Sequence, residues 1–114
     1  MYPNVKMSTP IVDLWKTLFR ELKEIRDSAD RTSVEKNEIH VLRKQMNTSE
    51  IVQNRSMRSN LLSRAVAILQ RQIAIYEEHQ QSGTYDEMAV LDGEIQRLSD
   101  LVESAEEWIV KLEK

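Results

Sequence analysis

The chain of 114 residues contains no cysteine, only two glycines and two prolines, and few aromatic side chains. The lack of cysteine excludes a disulfide scaffold, a thiolate zinc site and a cysteine nucleophile. Tight turns and hairpins depend on glycine and proline, so their scarcity, beside abundant Leu, Glu, Arg, Ile and Gln, favours helix. The scarcity of aromatic residues predicts a core built from aliphatic side chains.

Long hydrophobic runs are also missing from the sequence. No stretch approaches the ~20 apolar residues that a membrane span requires. The N-terminal sequence MYPNVKMSTP lacks the basic segment and apolar run of a secretory leader. The absence of cysteine also means that the sequence gives no evidence of an oxidising compartment. These features together predict a cytoplasmic protein without a membrane segment.

Capping signals, in which a side-chain oxygen can accept a hydrogen bond from a free backbone N–H of the first turn, mark four helix starts. They are Thr9 with Pro10 at the first helical position, Thr32 with Glu35, Asn47 with Glu50, and Thr84 with Glu87. They predict a flexible tail over 1–8 and one helical domain over 9–114. The expected helices cover about 10–30 and 33–46, followed by a third that ends near 81 and a fourth that begins at Thr84. The start of the third stays open, because QNRSMRSN at 53–60 fits either an exposed helical turn or a break.

The predicted helices carry apolar strips at helical spacing. The most regular strip lies on the fourth helix, at Met88, Leu91, Ile95, Leu98, Val102, Ala105, Ile109 and Leu112. The first helix carries Ile11, Trp15, Leu18, Leu22, Ile25 and Ala29. The third carries two adjacent strips, Leu61, Ala65, Ile68, Ile75 and Leu62, Val66, Leu69, Ile73, Tyr76. Two strips on one helix predict two neighbours, so the third helix is expected to be central.

These patterns predict an all-α fold, an antiparallel four-helix bundle, or a three-helix one, with a long C-terminal helical hairpin. Gly93 is the one irregularity in the fourth helix. It fits either a tolerated helical glycine or a position where a neighbouring backbone approaches closely.

No constellation of residues indicates catalysis. His40 and His79 lie on different predicted helices, and neither has the Glu three positions earlier that helical di-metal sites use. The sequence contains no H-E-x-x-H, no Gly-rich phosphate loop and no G-x-S-x-G motif. We therefore expect a protein that is not an enzyme and has no catalytic, metal or cofactor site.

Positive and negative charge are separated along the chain. Residues 51–76 carry four arginines and no acid, whereas residues 77–114 sum to −8. The arginines Arg55, Arg58, Arg64 and Arg71 are candidates for phosphate contact in a nucleic-acid-binding regulator. The alternative is pairing inside the hairpin, which would set Arg71 near Glu94, Arg64 near Glu103, and Arg58 near Glu106 or Glu107.

The C-terminal half of the fourth helix has a second apolar seam, at Leu98, Leu101, Ala105, Trp108 and Leu112. Trp15 and Phe19 of the first helix could cover it within one subunit. Otherwise Leu101, Trp108 and Leu112 would contact a protein partner, and a second copy in a homodimer is the expected one. We thus expect a non-enzymatic helical interaction module, such as an assembly subunit, adaptor or small inhibitor, that self-associates. The alternative is a nucleic-acid-binding regulator that uses the Arg55–Arg71 stretch.

Overall fold

The computed structural model describes residues 11–28, 31–48, 55–83 and 85–113. These residues form four helices, α1 (Ile11–Arg26), α2 (Ser33–Met46), α3 (Arg55–Ser82) and α4 (Tyr85–Glu113). No strand occurs within the described ranges. The all-α prediction is confirmed, with four helices rather than three. The predicted caps at Thr9 and Thr84, and the Glu50 half of the cap at Asn47, lie outside the described residues.

Local chemistry explains where α2 begins and ends. Thr32 accepts a hydrogen bond from the backbone N–H of Glu35, and the Glu35 carboxylate accepts one from the backbone N–H of Thr32, so the predicted capping box is present. The backbone hydrogen bond from Thr32, followed by one from the Arg31 side chain, lowers the pKa of Glu35. At its other end, α2 stops at Asn47, whose backbone N–H donates to the carbonyl of Arg43.

Side-chain contacts between neighbouring helices show an up-down-up-down course. Between α1 and α2, the indole of Trp15 donates to the Met46 carbonyl at 2.9 Å. Between α3 and α4, Gln80 near the connecting turn donates to Asp92 at 2.6 Å, and Ser59 at the far end lies 3.4 Å from Glu113. Between α2 and α3, Arg64 contacts Gln45 and Arg71 contacts Glu38, each at 2.6 Å. Every helix therefore runs antiparallel to the next one in the chain, as the sequence predicts.

The core is aliphatic, as the composition predicts. Its buried apolar residues are Leu14, Leu18, Leu22 and Ile25 of α1, Ile39, Leu42 and Met46 of α2, Leu61, Leu62, Ala65, Val66, Ile68 and Leu69 of α3, and Leu98, Val102, Ala105 and Leu112 of α4. Both predicted strips of α3 are buried through Leu69, so α3 contacts the other helices on two sides. It is the central helix of the fold.

The four-helix core ends at the α1–α2 turn. Arg31, which is buried in that turn, donates to the carboxylate of Glu35 at 2.6 Å and to the buried side chain of Gln72 on α3. Beyond Gln72, α3 continues for ten residues and rises by roughly 15 Å at the usual 1.5 Å per residue. The hairpin of α3 and α4 is therefore longer than the two helices that pack on it.

Candidate interaction surface

The structure divides the predicted arginine stretch among several roles. Arg64 donates to the Gln45 side chain at 2.6 Å, and Arg71 forms a 2.6 Å ion pair with Glu38, so both hold α2 against α3. Arg58 is half-buried, and its Nε atom is buried without a hydrogen-bond partner. The side chain of Arg55 lies outside the described part of the chain. Arg64 and Arg71 thus already have partners on α2, and phosphate contact by this stretch stays a prediction.

The predicted pairing of these arginines with acids of α4 is wrong. Arg64 and Arg71 contact α2 instead of Glu103 and Glu94. The register of the hairpin also differs from the prediction, because Ser59 contacts Glu113, whereas its neighbour Arg58 was expected near Glu106 or Glu107. Opposite charges and the position of a turn predict that two helices pack against each other. They do not predict which side of a helix each side chain occupies, and so which neighbouring helix it contacts.

The second seam of α4 lies mainly inside the subunit. Leu112, predicted to contact a partner, is buried in the core together with Leu98 and Ala105. Leu101 and Trp108 are half-buried against the same core, and the Lys111 ammonium lies 4.7 Å from the centre of the Trp108 ring. Leu112 therefore offers little surface to a partner, while partner binding by Leu101 and Trp108 stays a prediction.

The aromatic residues of α1 contact α2, and they also pack against the core that contains Leu98, Ala105 and Leu112. Trp15 caps the C-terminal end of α2 through the Met46 carbonyl. Arg43 of α2 donates to the Phe19 carbonyl at 3.0 Å, and its guanidinium lies 4.0 Å from the centre of the Phe19 ring. Burial, followed by repulsion from Arg26, lowers the pKa of Arg43. These contacts join α1 and α2 into one hairpin.

One stretch of exposed and half-buried apolar residues lies where the α3–α4 hairpin extends past the core. We call residues 73–83 and 85–97 the hairpin tip, and residues 59–72 and 98–112 the hairpin base. No described side chain of the tip is buried, whereas the base contains buried residues on both helices. The regular strip of α4 is divided at this boundary, since Leu91 and Ile95 are half-buried, Met88 is exposed, and Leu98, Val102, Ala105 and Leu112 are in the core.

The tip combines apolar and acidic side chains. Val90 is 68% exposed, and Ile75 and Tyr76 of α3 are half-buried. The sequence of the tip contains six acidic residues and one arginine, with Glu77 and Glu78 exposed on α3. A surface with an apolar strip and charge of one sign is typical of a site that another helix can cover.

A polar cleft of about 540 Å³ lies at the root of the tip, between α1, α3 and α4. Glu21 of α1, only 5% exposed, forms an ion pair with Arg97 of α4, and Arg97 also pairs with Glu94 at 2.8 Å. The pKa of Arg97 is raised, mainly by the hydrogen bond that Arg97 donates to Glu94. Partial burial lowers this pKa, and the contact with Glu21 raises it further. Glu24, Gln72 and Tyr76 also line this cleft.

A second cleft of about 350 Å³ continues from the first along α1 and α4. Leu14 and Thr17 of α1 face Leu101 and Ser104 of α4 across it. The half-buried state of Leu101 follows from this gap, because α1 covers that flank of α4 incompletely.

Gly93 lies on the exposed side of the tip, and a Cβ atom added there would meet nothing within 4 Å. The close-approach explanation for this glycine is therefore wrong. Its backbone φ is not positive either, so no local conformation requires glycine at this position.

The two histidines are exposed on separate helices. Among the described residues, no group of three or more His, Asp or Glu side chains is placed to hold a metal ion. None of the helices formed by those residues is long and apolar enough to cross a membrane.

Sequence reasoning missed the buried polar residues Glu21 and Gln72, although a signal was present. Glu21 interrupts the series Leu14, Leu18 and Ile25 at a heptad position, and Gln72 fills the gap between Ile68 and Ile75. A polar residue at such a position is expected to be buried with a partner.

Comparison with known proteins gives no relative. No family model, curated protein or solved structure matches the chain.

Proposed function

We propose that this protein is a non-enzymatic helical interaction module, an adaptor, assembly subunit or small inhibitor, whose contact surface is the hairpin tip. One observation carries the proposal: the heptad strip of α4 continues through Met88, Leu91 and Ile95, where neither α1 nor α2 covers it. Helices in water are stabilised mainly by packing of their apolar face. A two-helix extension with a half-exposed apolar face gains stability when a further helix covers it.

The exposed fraction of individual side chains supports the tip over the α4 seam at the base. Val90 in the tip is 68% exposed, whereas Leu101 and Trp108 are half-buried beside α1. The ion pair and hydrogen bond that Arg71 and Arg64 make with α2 favour protein interaction over the nucleic-acid alternative, because those arginines already have partners. A nucleic-acid regulator would instead bind DNA or RNA with an affinity that falls steeply as salt rises.

The experiment compares two valine substitutions in the tagged full-length protein. Val90→Glu places a charge in the tip, and Val34→Glu places the same charge on α2 at a valine that is 78% exposed. A charge without a partner is strongly disfavoured in an apolar contact. We expect a chain that copurifies from the host to be lost with Val90→Glu and retained with Val34→Glu, and the purified pair to show the same difference in titration calorimetry.

Equal loss or equal retention of the partner in the two variants would contradict the proposal. Circular dichroism on both variants provides the control, since each substitution is at an exposed position and should leave the helix content unchanged. Sedimentation equilibrium of the same proteins tests the predicted homodimer. A dimer that dissociates with Leu101→Glu and Trp108→Glu combined, but not with Val90→Glu, would place self-association at the base.

A further inference from the structure

The described parts of α1 and α2 pack on the hairpin base and do not extend along the tip. At the base, α3 and α4 pack with α1 and α2, and the α1–α2 turn closes that arrangement where Arg31 bonds Gln72. Past this level the described parts of α1 and α2 end, while α3 and α4 continue side by side. Ile73 and Tyr76 at the root pack against the core, so the apolar surface is continuous from the core into the tip.

Charge decides which kind of helix fits there. The sequence from 73 to 97 contains Glu77, Glu78, Asp86, Glu87, Asp92 and Glu94 against the single arginine Arg97. That arginine is already paired with Glu21 and Glu94. A second copy of the chain would bring the same negative charges together in a tip-to-tip contact, which is unfavourable. A helix with cationic flanks would be attracted instead.

The cleft at the root provides a place for one of those cations. Its charged lining is Glu21, Glu24 and Glu94 against Arg20 and Arg97, which leaves one negative charge in excess. Glu24 is exposed on α1, and Tyr76 of α3 lines the same cleft. A cleft that contains both a carboxylate and an aromatic ring suits a lysine or arginine side chain.

We infer that the hairpin tip binds a basic amphipathic helix of another protein, which packs its apolar face on α3 and α4 and places a cationic side chain in the root cleft. This inference rests on the proposed function and specifies its partner. The helix occupies, over the tip, the place that α1 and α2 occupy over the base. Low salt strengthens its binding, because the charges at the rim of the contact are exposed to water and salt ions screen their attraction.

The test uses two fluorescent probe peptides of about three heptads, with leucine at the apolar positions and either lysine or glutamate at all others. The full-length protein is titrated into each peptide and the change in anisotropy is followed. We expect the Leu/Lys peptide to bind and the Leu/Glu peptide not to bind. Val90→Glu and Glu24→Lys should each weaken binding at least about tenfold, because one disrupts the apolar contact and the other reverses the charge in the cleft.

Glu106→Lys is the matched control, since it makes the same charge change at an exposed acid of the base. Binding within about twofold of wild type in this variant excludes attraction to net charge alone. Equal weakening by Glu24→Lys and Glu106→Lys would overturn the inference. If the Leu/Lys peptide fails to bind while a host partner still depends on Val90, the tip is a contact surface for a different partner, so the inference falls and the proposed function stands. If neither depends on Val90, both fall.

Discussion

The base and the tip of the α3–α4 hairpin have the same heptad pattern and different surroundings. At the base, Leu69 is fully buried and Leu98 nearly so, because α1 and α2 pack over them. In the tip, Leu91 and Ile95 occupy equivalent positions of the same strip but are only half-buried. A heptad strip therefore shows which face of a helix is apolar, whereas the lengths of the neighbouring helices decide how much of that face is covered.

The largest expected effect comes from truncating one leucine in each region, Leu69 in the base and Leu91 in the tip. Leu69→Ala should lower the free energy of unfolding by roughly 2–5 kcal/mol, because it leaves a cavity among fully buried side chains. Leu91→Ala should cost about 1 kcal/mol or less, since its side chain is already half-exposed and neighbours can relax. Urea denaturation measures both. Similar losses would mean that the tip is packed as tightly as the base.

The next effect concerns the ion pair at the boundary between the regions. Arg97→Met should lower stability by about 1–3 kcal/mol, because it leaves the buried Glu21 carboxylate without its partner. The value is below that for a fully buried pair, since the Arg97 side chain is 45% exposed and water can reach the site. Glu21→Met combined with Arg97→Met should recover most of the loss. No recovery in the double variant would show that Arg97 acts through packing of its stem alone.

A smaller effect of opposite sign is expected at Gly93. Gly93→Ala should raise stability by about 1 kcal/mol, because alanine has the higher helix propensity and the added Cβ meets nothing within 4 Å. Thermal unfolding followed by circular dichroism measures the change. Destabilisation would show that another backbone approaches this side of the tip in solution.

The smallest effect is the coupling between the exposed side chains of Arg71 and Glu38. A double-mutant cycle with Arg71→Ala and Glu38→Ala should give a coupling energy of about 0.2–1 kcal/mol, the usual range for an exposed ion pair. The corresponding cycle of Arg71 with Glu94 should be additive, because Glu94 pairs with Arg97. Coupling to Glu94 alone would restore the hairpin register expected from the sequence.

Several features of the fold follow from local sequence. The Thr32–Glu35 capping box, the aliphatic core and the central place of α3 are confirmed because each depends on spacing within one helix or one turn. The partners of Arg64 and Arg71 could not be predicted in the same way, since they depend on how α2 is positioned over α3. The exposed tip was also not recognised, although predicted helices of unequal length already implied that part of the hairpin would lack cover.

The most direct test of the difference between base and tip is amide hydrogen exchange of the isolated protein, followed by NMR residue by residue. Amides in a region without tertiary cover exchange through local opening, whereas core amides need global unfolding. We predict that amides around Tyr76 and Leu91 exchange at least about tenfold faster than those around Leu69 and Val102, and that a bound partner helix slows the first group selectively. Equal protection of the four regions in the isolated protein would contradict the account, because it would show that the tip is already covered within this chain.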